Sequence, residues 1–209
     1  MSPTETLRHY LGECPLVAII RGVTPDEAEA IGEAIYDGGI RIIEVPLNSP
    51  EPLKSIERLA ARFGDRALIG GGTVLRPEWV DAVQAAGGRI IVSPNTNEAV
   101  IAAASSAGLI SCPGYFTPSE AFTALNAGAH GLKLFPAEAA TPAVLKAQLA
   151  VLPKGVPMVV VGGIKPDNMQ PWLKAGASGF GLGGGLYQPG QAVEQTLEKA
   201  RAYVAGVRS

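Results

Sequence analysis

The stretch DGGIRIIEVP, residues Asp37 to Pro46, closes one structural element and opens another within a few positions. The glycines supply the left-handed residue that ends a helix, the apolar run Ile42–Val45 reads as a buried strand, and Pro46 marks a turn. The same order of signals recurs in AAGGRIIVSP (Ala85 to Pro94), SAGLISCPG (Ser106 to Gly114), NAGAHGLKLFP (Asn126 to Pro136) and KAGASGFGLGG (Lys174 to Gly184). Each time an Ala-rich amphipathic segment meets a glycine, then a short apolar run, then a Pro- or Gly-marked turn.

Working outward, eight apolar runs stand along the chain: Leu16–Ile20, Ile42–Val45, Leu68–Ile69, Ile90–Val92, Leu109–Cys112, Leu132–Phe135, Met158–Val161 and Phe180–Leu182. They recur about every two dozen residues, the length of one strand-plus-helix unit. Runs that are apolar throughout, rather than alternating, suit a parallel sheet covered on both faces. The pattern predicts one (β/α)8 barrel domain over residues 1–209, a TIM barrel with an extra N-terminal helix over Met1–Gly12. An open doubly wound sheet would need fewer strands and one obvious nucleotide loop. Helix starts are punctuated as regularly. TPDE at Thr24–Glu27 and TPSE at Thr117–Glu120 offer an N-cap Thr, a Pro at the first helical position and a Glu at the third. Ser49-Pro50, Thr141-Pro142 and Lys165-Pro166 punctuate similarly. The last helix is expected over Ala192–Val204, where Val193, Thr196, Leu197, Ala200 and Val204 keep helical spacing.

Composition narrows the functional classes. In 209 residues, 47% are apolar and only 17% charged, which fits a chain with a real core and little disorder. A net charge of −2 with interspersed signs predicts no nucleic-acid partner and no anionic membrane surface. No apolar run approaches the length of a membrane span, and the mixed charges of MSPTETLRHYLGECP do not form a signal peptide. Cys14 and Cys112 lack metal-ligand spacing and read as two buried free thiols of a cytoplasmic protein.

Barrel enzymes place their chemistry at the C-terminal ends of the strands. Arg21, Glu44 and Lys133 stand there, inside or just after apolar runs. One such charge is unremarkable, because its side chain usually reaches solvent. Three on one closed barrel would converge on one mouth, and a set with both signs is the least costly to bury. Desolvation would lower the pKa of Lys133 and free its amine as a nucleophile toward a ketone. The resulting Schiff base is an electron sink that permits carbon–carbon cleavage without a metal or other cofactor. Glu44 could then shuttle protons, and Arg21 could grip a substrate carboxylate. The glycine clusters VGGIKPDN (Val161–Asn168) and GLGGGLY (Gly181–Tyr187) fall after the last two strands, where barrels often bind phosphate. GGGT, Gly70–Thr73, either admits substrate closely, with Thr73 as hydroxyl donor, or is only a turn. GFGLGG (Gly179–Gly184) lacks the following strand and acidic residue of a dinucleotide site. His9 and His130 have neither metal-ligand spacing nor a triad around them, and no metal site is predicted.

EVPLNS (Glu44–Ser49), GGGTVL (Gly70–Leu75), SPN (Ser93–Asn95), GLKLFPAE (Gly131–Glu138) and VGGIKPDN together resemble the class I 2-keto-3-deoxy-6-phosphogluconate/phosphogalactonate aldolase family, from about Pro15 to Gly190. The resemblance implies a Schiff base on Lys133 and proton transfer by Glu44. It also implies substrate contacts from Arg21, Thr73, Pro94, Phe135 and Val161, and phosphate binding by Gly162, Gly163, Gly183 and Gly184. The partner so implied is a 2-keto-3-deoxy-6-phosphosugar acid, and the assembly a homotrimer needing no metal. Phosphogluconate-type members usually carry Leu-Arg-Thr where this chain has Leu47-Asn48-Ser49, and Thr-Gly-Gly where it has Val161-Gly162-Gly163. Arg21 in IIRG resembles the phosphogalactonate type instead, so the galactonate epimer is the expected substrate and the gluconate epimer the alternative. Gly184 stands where the family often has a serine, which removes one hydroxyl donor. A phosphosugar isomerase or epimerase on the same barrel, and a non-catalytic phosphosugar-binding barrel, are the readings from other classes.

Overall fold

A computed structural model describes residues 1–208. Nine parallel strands alternate with helices: β1 (Leu16–Ile19), β2 (Ile42–Pro46), β3 (Leu68–Gly72), β4 (Ile90–Val92), β5 (Ile110–Cys112), β6 (Gly114–Tyr115), β7 (Leu132–Leu134), β8 (Met158–Val161) and β9 (Gly179–Leu182). Their spatial order is β5-β4-β3-β2-β1-β9-β8-β7-β6. β5 and β6 are one run of chain interrupted at Pro113, so the two ends of this order meet and the sheet closes as a (β/α)8-type barrel. β6, the strand beyond the expected eight, is thus the continuation of the Leu109–Cys112 run past a proline. Pro113 has no N–H to give the ladder, yet its carbonyl accepts from the Lys133 N–H at 2.9 Å and keeps the closure intact.

The barrel interior and the helix-covered exterior form two separate cores. Inside lie Val17 and Ile19, Ile42, Leu68, Ile90 and Val92, Ile110 and Cys112, Val159 and Val161. Their sequence neighbours, such as Ala18, Ile43, Ile69 and Ile91, pack outward under the helices. Strand alternation with both faces buried explains why the runs look uniformly apolar. It also fixes the direction of Lys133, since Leu132 and Leu134 belong to the outer core.

The helices are α1 (Pro3–Glu13), α2 (Pro25–Asp37), α3 (Pro52–Phe63), α4 (Pro77–Ala85), α5 (Glu98–Ser106), α6 (Pro118–Asn126), α7 (Pro142–Leu149), α8 (Gln170–Ala175) and α9 (Val193–Arg208). Capping boxes start α2 and α6 as the motifs predict: the Thr117 N–H donates to Glu120 Oε2 at 2.7 Å, and the Glu120 N–H to Thr117 Oγ1 at 3.3 Å. Two proline signals lie further from their helices than expected. α3 begins at Pro52 behind Glu51 at φ 39°, and Pro166 opens a turn before α8.

The extra helix α1 has a structural task that its sequence does not announce. Leu7, Tyr10 and Leu11 belong to the interior core, so α1 stops the end of the barrel opposite the C-terminal ends of the strands. Polar bonds hold the plug at its edges. Tyr10 Oη donates to the Asp65 carbonyl at 2.7 Å, and Arg8 Nη2 to the Gly155 carbonyl at 2.6 Å. Among the described residues no helix is long and apolar enough to cross a membrane.

Candidate active site

With one end of the barrel plugged, the other opens into a cavity of about 550 Å³. Of the positions singled out by sequence, Arg21, Thr73, Pro94, Lys133, Phe135, Val161, Gly162, Gly163, Gly183 and Gly184 all border it. Glu44 lies one level deeper. It borders a small internal void together with Lys133, Cys112 and Leu7, so Lys133 stands between cavity and interior.

Lys133 and Glu44 are the two charged groups buried inside the barrel, at 7% and 1% exposure. Burial in these apolar surroundings lowers the Lys133 pKa below that of an ordinary lysine; the Glu44 charge partly opposes this. Burial pushes Glu44 up to about 7, against the pull of Lys133 and Arg21. Glu44 therefore has both protonation states accessible near neutrality, and the neutral amine of Lys133 is favoured relative to that of an ordinary lysine. Glu44 Oε2 has no hydrogen-bond partner among the described residues, so a buried acceptor is left facing the void beside the lysine. The Lys133 Nζ sits 5.0 Å from the centroid of the Phe135 ring, which bounds one side of the amine. The Phe135–Pro136 peptide is cis.

β3 resolves the question left open by GGGT. Gly70, Gly71 and Gly72 are strand residues in register with Glu44, Val45 and Pro46. A Cβ on Gly72 would overlap the Glu44 carboxylate, and one on Gly70 would overlap the Ile90 carbonyl. Only a residue without a side chain lets the carboxylate lie across the strand. Thr73 follows at φ 55°, and its Oγ1 accepts from Arg21 Nη2 at 3.4 Å. Arg21 Nη1 also donates to Asn48 Oδ1. The guanidinium is thus held from two further strand ends, and Asn48 joins a site from which sequence reasoning had omitted it.

The glycine loops are braced from behind. Asn168 Oδ1 accepts from the Lys165 N–H at 2.9 Å, its Nδ2 donates to the Gly163 carbonyl at 2.8 Å, and Tyr203 Oη donates to the Ile164 carbonyl at 2.9 Å. Gly162 and Gly163 have φ of 119° and 64°, and a Cβ on Gly162 would meet Glu138 and the Ala137 N–H. At Gly183 and Gly184 a Cβ would meet nothing, so their space is not set by packing. The Gly183 carbonyl accepts from the Leu186 and Tyr187 N–H groups at 2.9 and 3.1 Å. That single turn leaves the N–H groups at its start without an acceptor inside it.

Glu138 and Lys165 also border the cavity. Both lie within quoted motifs, GLKLFPAE and VGGIKPDN, and that was the only signal for them. His130 has a structural place: its Nδ1 accepts from the Ser111 N–H at 3.1 Å, and burial lowers its pKa. Cys14 and Cys112 are buried and unpaired, and no cluster of His, Cys, Asp and Glu suited to a metal occurs among the described residues.

Comparison with known proteins places this arrangement. A family model described as KDPG and KHG aldolase matches residues 7–200. A curated 2-dehydro-3-deoxy-6-phosphogalactonate aldolase of Escherichia coli (strain K12) is 49% identical over 194 residues, 93% of this chain and 95% of its own length. A 2-dehydro-3-deoxy-phosphogluconate aldolase of Dickeya dadantii (strain 3937) is 31% identical, covering 92% of both chains. Among solved structures, the "Native KDPGal structure" superposes with a TM-score of 0.92 at 48% identity, over 94% of this chain and 95% of that one.

Proposed function

Because this chain belongs to the KDPG and KHG aldolase family, we propose that it cleaves 2-dehydro-3-deoxy-6-phosphogalactonate to pyruvate and D-glyceraldehyde 3-phosphate through a Schiff base. The enzyme is an aldolase, a carbon–carbon lyase. Family membership sets aside the isomerase and the non-catalytic barrel. The observation that carries the mechanism is the burial of Lys133 beside Glu44 in one apolar environment, at the floor of an open cavity.

Lys133 Nζ adds to the C2 ketone, and Glu44, protonated, gives its proton to the departing water to leave an iminium. The Glu44 carboxylate then takes the C4 hydroxyl proton while the C3–C4 electrons move toward the iminium nitrogen. Glyceraldehyde 3-phosphate leaves, C3 of the enamine is protonated, and hydrolysis returns the amine and pyruvate. A group with a pKa of about 7 serves both directions of transfer at neutral pH. Arg21, steadied by Asn48 and Thr73, binds the C1 carboxylate. Phosphate is held by the N–H groups of the loops at Gly162–Gly163 and Gly183–Gly184. Pro94, Phe135 and Val161 wall the cavity around the reacting carbons. A homotrimer, implied by the family resemblance, acting in the cytoplasm, where two free thiols stay reduced, completes this reading.

Epimer preference tests the substrate assignment. The galactonate epimer should exceed the gluconate epimer by about tenfold or more in kcat/KM, and a reversed ratio would refute the assignment. Val161→Thr adds a hydroxyl beside the reacting carbons, where phosphogluconate-type members carry one, and should move the ratio toward the gluconate epimer.

The carboxylate clamp has its own test. Arg21→Ala should raise KM for pyruvate about 10- to 100-fold in methyl-proton exchange, the usual worth of a charged hydrogen bond, with kcat changed far less. Asn48→Ala should give a smaller rise of the same kind. An unchanged KM in Arg21→Ala would remove the arginine from the carboxylate subsite.

A further inference from the structure

Glu138 lines the cavity on the short turn Ala137–Ala139 that follows the Lys133 strand. Its side chain lies over the glycine loop: a Cβ built on Gly163 would sit 2.9 Å from Glu138 Cγ, and one on Gly162 would overlap Glu138 Oε2. The carboxylate makes no hydrogen bond or ion pair among the described residues, although Lys165 borders the same cavity. A free carboxylate on open surface needs no explanation. Here it stands beside backbone that the reading above gives to a phosphate, where it repels the ligand unless it gains something in return.

The substrate supplies one group that can repay that repulsion. Arg21 and Thr73 take C1, Lys133 takes C2, Glu44 takes the C4 hydroxyl and the glycine loops take the phosphate on C6. Only the C5 hydroxyl has no partner, and it lies between the carbon served by Glu44 and the phosphate. We propose that the Glu138 carboxylate accepts a hydrogen bond from the C5 hydroxyl, the group that becomes the C2 hydroxyl of glyceraldehyde 3-phosphate, and so selects the aldehyde half of the substrate. The proposal rests on the aldolase reading of this site. Glu138 is exposed at the cavity wall, and a charged acceptor aimed at one hydroxyl discriminates against an analogue lacking it by the worth of that charge-assisted hydrogen bond.

Carbon–carbon bond formation from pyruvate tests it, with D-glyceraldehyde 3-phosphate and 3-oxopropyl phosphate (the same aldehyde without the hydroxyl) as acceptors. The wild type should prefer the hydroxylated acceptor by roughly 10- to 100-fold in kcat/KM. Glu138→Ala should lower the rate with glyceraldehyde 3-phosphate and leave 3-oxopropyl phosphate undiminished or faster, because the repulsion of the phosphate goes with the carboxylate. Glu138→Gln, which keeps an acceptor oxygen, should retain a preference of several-fold. Exchange of the pyruvate methyl protons needs no aldehyde and should persist in both variants, showing an intact fold and a working Lys133. Equal loss with both acceptors, or a wild type indifferent to the hydroxyl, would overturn the proposal while leaving the aldolase reading in place. Absence of methyl exchange in the wild type would bring down that reading and the proposal with it.

Discussion

Lys133→Arg should lose cleavage by about 10⁴-fold or more in kcat, although it preserves the positive charge. The difference is chemical. A guanidinium does not deprotonate in a protein, so it cannot add to a ketone and form an imine. The lysine can, because the wall that buries it disfavours the ammonium. Lys133→Met gives a second test free of the bulk of arginine. It removes the buried ammonium, and Glu44 escapes the loss of its countercharge by taking up a proton, so the variant should fold yet remain inactive. Borohydride reduction in the presence of pyruvate reads the step directly. Wild-type protein should gain a stable adduct on the peptide containing Lys133, and neither variant should. Full activity in Lys133→Arg would remove the imine mechanism. Trapping on Lys165, the other lysine bordering the cavity, would move it to another residue.

Much of this site was legible because the barrel is repetitive and the exceptions are charged. Once strands and helices alternate, each strand end is a known place, and a lysine or glutamate inside an apolar run stands out there. The arrangement around those charges was less visible. GGGT left close substrate approach and a simple turn both open, because three glycines carry no strand signal of their own. They pair with β2 as strand, and they lack side chains because Ile90 and Glu44 occupy the space that Cβ atoms at Gly70 and Gly72 would need. Pro113 hid the continuation of the fifth strand for a similar reason: a missing donor reads as a break, while its carbonyl still bonds across the closure. Asn48 and Arg21 are 27 residues apart and meet only because β1 and β2 are neighbours in the closed sheet. Glu138 is likewise defined by a loop from the next strand. Such pairings belong to the tertiary fold, and no local pattern announces them. The plug α1 showed as an extra N-terminal helix, but which end of the barrel it covers follows only from Leu7 and Leu11 reaching the interior core.

Glu44→Gln should reduce turnover by about 10²- to 10⁴-fold, the range for loss of a positioned general acid–base group. Pyruvate should still be trapped on Lys133, more slowly, because the amine remains and only its proton shuttle is gone. Equilibrium unfolding supplies a second signature, independent of catalysis. In the unfolded chain Glu44 ionises near 4.5, and in the folded barrel only near 7. Between those values the folded protein holds a proton that the unfolded chain has released, so this group's contribution falls as pH rises through the window. The penalty is complete above pH 7, and from pH 5 to 8 it grows by about 2 to 3 kcal/mol. Gln carries no charge and escapes the penalty, so the variant should gain stability relative to wild type as pH is raised from 5 to 8. Lys133 acts in the same direction. Without the Glu44 carboxylate its ammonium is disfavoured further, and a buried lysine becomes easier to accommodate as pH rises toward its unfolded pKa. Urea unfolding of both proteins at pH 5 and pH 8 measures the difference. A gap that stays constant between the two, or narrows toward pH 8, would mean that Glu44 ionises in the folded protein as it does in water. The two-way proton transfer at neutral pH assigned to it would then have no physical basis, whatever the loss of activity in the variant.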